Sequence, residues 1–312
     1  MVEVSYVGNR GTRLGVGRDW NFTPGQYYSR LPVRDQPTID FLSQQVPSPF
    51  YGLDSIYGQN TSRAALLRPY PHFGGVSVSE PLGYSWYHSM QVRSEKRFSR
   101  GYTLQLAYTW SKLMEATSFL NSFDPMPYET LSGSDRPHRL SVSGIFELPF
   151  GRGRRFASHL PGVLEGVIGG WQLNAVVNRQ SGQALGFGNM IFRGDIKDIP
   201  LPKSERTVEH WFNVNAGFER DTQKQLSSNV RTMPMVFGGV RGEGQARWDL
   251  SAIKYFPIRE RFKLQFRAEA FNAWNHPNFD NPNTSVTSSA FGTVTSVSPS
   301  PRQFQLALKV TF

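Results

Sequence analysis

The sequence predicts an all-β fold, an antiparallel transmembrane β-barrel, on three observations. Long segments alternate apolar and polar residues, the connections between these segments are alternately long and short, and aromatic residues recur near the segment ends. A period of two is typical of strands whose two faces meet different environments. The composition agrees, because hydrophobic residues make up only 38% of the 312 residues, too few for a bundle of membrane helices.

The periodicity predicts about eight long strands. Most of them have about 11–15 residues, more than the usual five or six of soluble sheets and enough for a tilted strand to cross a bilayer. The predicted strands cover residues 1–8, 84–98, 101–113, 138–149, 167–180, 246–256, 261–274 and 301–312.

The strands differ in how regularly they alternate. In the second strand, His88 interrupts an otherwise apolar side. In the sixth strand, Ile253 and Lys254 break the alternation. The apolar sides of the regular strands are Tyr102, Leu104, Leu106, Tyr108 and Trp110; Leu140, Val142, Phe146 and Leu148; Trp171, Leu173, Ala175 and Val177; Phe262, Leu264, Phe266, Ala268 and Ala270; and Phe304, Leu306, Leu308, Val310 and Phe312.

The connections between the predicted strands supply the second observation. In chain order they have about 75, 2, 24, 17, 65, 4 and 26 residues, whereas a soluble β-sandwich has no reason to alternate in this way. Membrane barrels have short turns at one end and longer loops at the other. If Phe312 lies at the short-turn end, every short connection falls at that end too.

Aromatic residues supply the third observation, because two aromatic rings are expected where a barrel meets the two membrane interfaces. One predicted ring lies near the loop ends of the strands and the other near the turn ends. The first comprises Trp86, Trp110, Trp248, Trp274 and Phe304, and the second comprises Phe98, Tyr102, Trp171, Phe256, Phe262 and Phe312.

The sides opposite the apolar ones carry large charged residues, which favours a wide, wet interior. Glu147 and Glu269 are expected to form ion pairs with Arg or Lys there, and not to act as an acid–base couple. The first strand begins without a preceding hairpin, so the chain is expected to be a portion of a larger barrel. The candidates for residues facing the lumen are Arg93, Glu95, Arg97, Glu147, Lys263, Arg267 and Glu269.

The sequence lacks the common signatures of catalysis and cofactor binding. There is no nucleophile elbow, phosphate-binding loop or zinc-protease motif, so no enzymatic activity and no cofactor are predicted. The absence of cysteine excludes disulfides and thiolate sites, and the six scattered histidines favour structural roles over a metal site. The net charge of +10 is spread along the chain, so nucleic-acid binding is not expected.

Seven sequence blocks spanning nearly the whole chain resemble TonB-dependent outer-membrane receptors of the Oar-like type, which have a carboxypeptidase-regulatory-like N-terminal domain. The blocks occur in the order of that family. They are YVGNRGTRL (6–14), KRFSRGYTL (96–104), YTWSK (108–112), DRPHRL (135–140), ELPFGRGRR (147–155), WFN (211–213) and FRAEAFNAWNHPNF (266–279).

The resemblance implies a barrel of about twenty-two strands with a plug domain inside it and a TonB box that receives energy from the inner membrane. It places residues 1–312 at the C-terminal end of such a barrel, with the signal peptide, the plug and the N-terminal domain outside this chain. The outer membrane of a Gram-negative bacterium is the expected location. The terminal strand, with Phe304, Leu306, Leu308, Val310 and Phe312, is expected to be the signal recognised by the outer-membrane assembly machinery.

Three functions are compatible with the sequence. The leading hypothesis is a transporter that captures an unidentified small ligand with its long loops and moves it inward on TonB engagement. The second is a surface-exposed binding or adhesion protein that uses the barrel as an anchor in outer-membrane lipid. The third is a soluble all-β binding module.

Overall fold

The computed structural model describes residues 1–259, 262–298 and 300–311 of the chain. Its main feature is one sheet of eight long antiparallel strands that are neighbours in chain order, so the predicted all-β antiparallel fold is confirmed. The strands are β1 (Val2–Asp19), β2 (Ser77–Ser99), β3 (Tyr102–Ala116), β4 (His138–Glu147), β5 (Trp171–Gln180), β6 (Gln245–Arg259), β7 (Phe262–Phe271) and β8 (Gln303–Thr311).

The sheet is open, with β1 and β8 at its two edges. Within the described ranges, no backbone ladder joins β1 to β8. Thr130–Leu131 adds a short ninth strand beside β3. Each pair of long neighbours is held by an antiparallel ladder, and the longest of these joins β1 to β2.

The first two strands are longer than predicted. Their ladder runs from the Val2–Ser94 pair to the Asp19–Ser77 pair, far beyond the predicted limits of 1–8 and 84–98. The ladder register shifts on both sides of Leu14, which destroys the period-two signal in this part of β1. Gly83 lies opposite this irregularity, where an added Cβ would be 2.8 Å from the carbonyl oxygen of Leu14.

The fifth strand is shorter than predicted, because residues 167–170 do not belong to it. A short helix precedes β5 instead, in the connection 148–170. The helices are α1 (Gln36–Ser43), α2 (Arg63–Leu66) and α3 (Gly162–Ile168), and the 3-10 turns are Gly25–Tyr27, Ile196–Asp198 and Thr222–Lys224. Of the helices in the described ranges, none has both the length and the apolar character needed to cross a membrane.

The remaining strands are short and lie in the connections. They pair as hairpin-like fragments away from the main sheet. They are Gln45–Pro47 with Asn60–Ser62, Ala184–Leu185 with Phe237–Arg241, and Asn278–Phe279 with Val297–Ser298.

Strand register divides the sheet into an apolar face and a polar face. Leu106 pairs with Val142, which pairs with Val177, and Val177 pairs with Trp248, so apolar side chains stay together across four strands. The apolar face includes Tyr102, Leu104, Leu106, Val142, Phe146, Leu173, Val177, Leu264, Phe266, Phe304, Leu306 and Leu308. The polar face includes Thr103, Gln105, Ser141, Ser143, Asn174, Asn178, Asp249, Ser251, Arg267, Glu269 and Gln305.

Two polar residues on the apolar face are satisfied locally, which explains the irregular alternation of their strands. Lys254 is only 2% exposed and donates a hydrogen bond from Nζ to the carbonyl oxygen of Gly169. Its ammonium group also lies 5.5 Å from the ring centroid of Trp171. On β2, the His88 Nδ1 atom lies 2.5 Å from the Tyr6 hydroxyl oxygen of β1.

The main hydrophobic core lies outside the sheet. It is formed by the connections 181–244 and 272–302, whereas the apolar side chains of β8 are exposed. Its buried members are Leu185, Phe187, Met190, Ile199, Trp211, Phe212, Ala216, Phe237, Val240, Val286 and Phe291.

Candidate ligand site in the long loops

Four long connections leave the same end of the sheet, here called the loop end. These long loops are residues 20–76, 117–137, 181–244 and 272–302. The opposite end, here called the turn end, carries the two-residue turn 100–101 and the connection 148–170. The connection 148–170 was predicted as a short turn. It is in fact about as long as the loop 117–137, because it contains α3.

Phe187 is at the centre of the aromatic core of the long loops. Its ring centroid lies 5.3 Å from that of Phe212, 5.1 Å from that of Phe218 and 5.3 Å from that of Phe237. Phe291, from the loop 272–302, lies 6.1 Å away. Tilted and edge-on contacts of this kind are favourable between aromatic rings. The loops 181–244 and 272–302 therefore share one core.

Two asparagines tie the other loops to this core. Asn229 donates from Nδ2 to the carbonyl oxygens of Leu31 and Val33, both at 3.0 Å. Asn121 accepts from the backbone N–H of Arg231 at 2.7 Å and donates back to its carbonyl oxygen at 3.2 Å. All four long loops are thus joined into one structure, which is called the loop unit below.

The Arg231 side chain fixes the backbone around the aromatic core. Its guanidinium donates to the carbonyl oxygens of Phe187 at 2.9 Å, Met233 at 3.1 Å and Pro234 at 3.1 Å. Burial lowers the pKa of Arg231 below its ordinary value.

An ion pair joins the loop 117–137 to the segment that re-enters the sheet. Asp135 is 1% exposed, and its Oδ2 atom lies 2.6 Å from Nη2 of Arg241. Its Oδ1 atom accepts from the backbone N–H of Leu113 at 2.8 Å. Next to the pair, burial lowers the pKa of Arg136, and the positive charge of Arg241 lowers it further.

A cavity of about 850 Å³ opens where the loop unit meets the strand ends. The strand residues Tyr108, Leu140 and Arg179 line it, and their ladder positions place them on the same side of the sheet as the apolar face. The indole N–H of Trp211 donates to the carbonyl oxygen of Arg241 at 2.8 Å and holds the loop wall in place.

The charged lining of this cavity is predominantly basic. Among the described residues, Glu243 contributes the one carboxylate of the lining, and its Oε2 atom accepts from the backbone N–H of Phe279 at 3.4 Å. A cavity with excess positive charge attracts anions and can bind them through charge-assisted hydrogen bonds. The basic and titratable residues that line it are His138, Arg179, Lys203, Arg206, Arg241 and His276.

Comparison with known protein families identifies the sheet. A family model described as an outer membrane beta barrel domain matches residues 1–305. The chain belongs to this family. The barrel domain is therefore located in the outer membrane of a Gram-negative bacterium, and the soluble all-β module is the wrong alternative. A search of curated proteins found no match.

The family fixes how the barrel domain is oriented in the membrane. Outer-membrane barrels have short periplasmic turns and longer extracellular loops, with an apolar band facing the lipid. The loop end is accordingly extracellular and the turn end periplasmic. We expect the apolar face of the sheet to contact lipid, because strand register keeps it as the continuous apolar side of the strands.

The predicted lumen residues do not converge on one site, although the ladder positions of all of them except Arg97 put them on the polar face of the barrel domain. They form separate ion pairs with near neighbours: Arg93 with Glu95 at 3.4 Å, Arg267 with Glu269 at 3.6 Å, and Glu147 with Arg154 at 2.8 Å. Lys263 and Arg97 are exposed, and Arg97 lies within the register shift between Lys96 and Ser99 in β2. That this face lines the lumen stays a prediction.

The predicted assembly signal lies on the edge strand β8 of the barrel domain. Its apolar side chains are 72% exposed at Phe304 and Leu306, 69% at Leu308 and 53% at Val310. Phe312 lies outside the described residues. Recognition of this strand by the assembly machinery stays a prediction.

Sequence periodicity missed the loop unit and its cavity, because loop residues follow no regular period. The amino-acid composition of the loop 181–244 could have indicated a buried core in it. Five phenylalanines fall between the fifth and sixth strands, where exposed loops would be expected to be polar. They are Phe187, Phe192, Phe212, Phe218 and Phe237.

Proposed function

We propose that this barrel domain is part of a TonB-dependent receptor that captures an anionic ligand at its loop unit and takes part in its uptake. The observation that carries this proposal is the basic cavity between the loop unit and the strand ends. The seven sequence blocks that resemble Oar-like receptors support the TonB-dependent type.

The ligand class follows from the charges in the cavity. Arg179 lies on a strand, whereas Lys203 and Arg206 come from the loop 181–244. The Nε atom of Arg206 donates to the carbonyl oxygen of Leu201 at 2.8 Å, which fixes the side chain near the cavity. A carboxylate, phosphate or sulfate group would be held between a strand cation and two loop cations.

Energy coupling is the part of the proposal that depends on the resemblance. A plug domain would close the barrel until a TonB box engages TonB. The charged side chains of the polar face, including the Arg267–Glu269 pair, would then border the route of the ligand. In this proposal the loop unit supplies affinity, and the plug supplies the gate.

A second candidate function is surface binding without uptake, with the barrel as an anchor. The position of the cavity favours it, because Tyr108, Leu140 and Arg179 lie on the same side of the sheet as the apolar face and not on the polar face. A ligand held there would contact the loop unit from outside the predicted lumen.

Binding and accumulation in cells separate the two candidates. Cells producing the full-length protein would be given radiolabelled ferric citrate or a fluorescent acidic decapeptide, with and without a protonophore. Whichever of the two probes binds wild type, the double variant Arg179→Gln/Arg206→Gln should bind it at least about tenfold more weakly. This corresponds to a loss of roughly 1.4 kcal/mol in binding free energy. The matched control is Arg30→Gln/Lys197→Gln, which removes the same charge from exposed loop positions outside the cavity.

Each outcome has a defined meaning. Accumulation that the protonophore abolishes supports TonB-dependent uptake. Saturable binding that the protonophore leaves unchanged, with no accumulation, supports surface binding. Equal affinity in wild type and the cavity variant contradicts the cavity as the site, and no binding of either probe contradicts an anionic ligand.

A further inference from the structure

The periplasmic connection 148–170 presents an apolar surface that the strands do not account for. Helix α3 within it exposes 83% of Val163, 63% of Val167, 47% of Leu164 and 40% of Ile168. A short helix in water normally turns such residues toward a core. Here four neighbouring apolar side chains face outward from the protein.

Two hydrogen bonds hold α3 against the lipid-facing side of the sheet. The indole N–H of Trp171 donates to the carbonyl oxygen of Val167 at 2.8 Å. Lys254 donates from Nζ to the carbonyl oxygen of Gly169, the residue that caps the helix C-terminus. A cation at this end of a helix is favourable. Both donors project from the apolar face, so α3 lies on the outside of the barrel wall.

The acidic residue of α3 is turned away from this outer surface. Glu165 accepts a hydrogen bond on Oε1 from the backbone N–H of Arg152 at 2.9 Å. Its Oε2 atom is buried. The exposed side of the helix is thereby left without negative charge.

Basic and aromatic residues flank the helix. Arg152 and Arg155 are exposed, and the Arg155 guanidinium lies 5.4 Å from the ring centroid of Phe156. Phe150 and Phe156 expose 39% and 49% of their side chains. Apolar residues, aromatic rings and arginines together are the composition of a segment that lies in a membrane interface and attracts anionic lipid.

We propose that α3 and residues 150–156 form a docking surface for anionic phospholipids of the periplasmic leaflet. The surface is continuous with the apolar face through Trp171 and Lys254, so it extends the lipid contact of the barrel into the headgroup region. The inference depends on the family assignment and is independent of the proposed receptor function.

Site-directed spin labelling tests this surface, since the chain contains no cysteine and each introduced one is unique. The variants Val163→Cys and Val167→Cys replace exposed side chains, so neither should disturb packing. Labelled protein would be reconstituted into vesicles of phosphatidylethanolamine and phosphatidylglycerol. Collision rates of the label with oxygen, which partitions into lipid, and with a water-soluble nickel chelate would then be measured.

Labels at 163 and 167 should collide several-fold more with oxygen than with nickel. A label in Leu53→Cys, at a 74% exposed extracellular position, should show the reverse. Predominant nickel contact at 163 and 167 would overturn the proposal. Protection from both reagents would also overturn it, because a protein partner would then cover the helix.

A separate comparison of two lipid compositions tests the preference for anionic headgroups. In vesicles with phosphatidylglycerol, Arg152→Gln/Arg155→Gln should shift the label at 163 toward nickel contact. In vesicles of zwitterionic lipid alone, the same double variant should have no effect. A shift of equal size in both lipids, or in neither, would overturn the preference for anionic headgroups.

Discussion

Asp135 and Arg241 lie 106 positions apart in the chain, yet their side chains meet at 2.6 Å in the loop unit. Asp135 also accepts from the backbone N–H of Leu113, so one carboxylate joins a strand end, a loop and the segment that enters β6. Because the carboxylate is buried, losing its charge leaves the arginine without a counter-ion.

The variant Asp135→Asn should destabilise the loop unit by about 3 kcal/mol, since removal of one partner of a buried ion pair is strongly unfavourable. Native-state hydrogen exchange at the Trp211 amide, which bonds to the carbonyl oxygen of Gly292, measures the opening free energy. The control Glu205→Gln changes an exposed loop carboxylate. Equal protection in both variants would mean that the ion pair does not stabilise the loop unit.

Truncation of the aromatic core should open the loop unit while the strands stay folded. Phe212 is 1% exposed, and Phe212→Ala should cost about 3–5 kcal/mol. Trypsin added to intact cells should then cleave the loop 181–244 much faster than in wild type. The control Leu53→Ala, at a 74% exposed position, should behave like wild type. Loss of the variant from the outer membrane would instead show that loops and strands fold together.

Helix α1 should lose stability in acid. Hydrogen bonds from Ser29 and Thr38 lower the pKa of Asp35 below its ordinary 3.8. A carboxyl group with a lowered folded-state pKa stabilises the helix above pH 3.8, and this contribution is lost as the pH falls through the folded-state value. Exchange protection of the Ile39 amide, which bonds to the Asp35 carbonyl oxygen, should fall as the pH is lowered through the range below 3.8.

The variant Asp35→Asn isolates this effect, because it removes the titrating group at the N-cap. Its protection at Ile39 should be insensitive to pH over the same window. If wild type and variant show the same pH profile, another group controls the helix.

The two faces of β8 should respond differently to the same substitution. Leu306 pairs with Ala268 on the apolar face, and its neighbour Gln305 pairs with Glu269 on the polar face. Arginine on a lipid-facing position near the bilayer centre costs about 2–4 kcal/mol. The folded, heat-modifiable band in outer-membrane fractions should therefore decrease in Leu306→Arg and persist in Gln305→Arg. The opposite ranking would reverse the assignment of the faces.

The strands of the main sheet were predictable because a membrane barrel imposes a period of two on the sequence. All eight predicted strands exist, and the apolar residues of β3, β4 and β5 share one face as expected. The polar residue that interrupts the alternation of β6 has a structural reason. Lys254 is on the apolar face because Gly169 and Trp171 satisfy it there.

Features without a period were not predictable in the same way. The second half of β1 was not predicted as strand, because register shifts around Leu14 interrupt the alternation of apolar and polar residues. Helix α3 is too short to establish a helical period. The basic cavity combines Arg179 with Lys203 and Arg206, whose proximity depends on the tertiary path of the loop 181–244.

The loop unit also has a consequence for the order of folding. Phe187 and Phe291 belong to different loops, and Asn229 contacts a third, so we expect their contacts to form only after the intervening strands have found their register. Contacts of such long sequence separation are late events in folding. Substitutions in the aromatic core should therefore accelerate unfolding of the extracellular surface and leave the rate of membrane insertion unchanged.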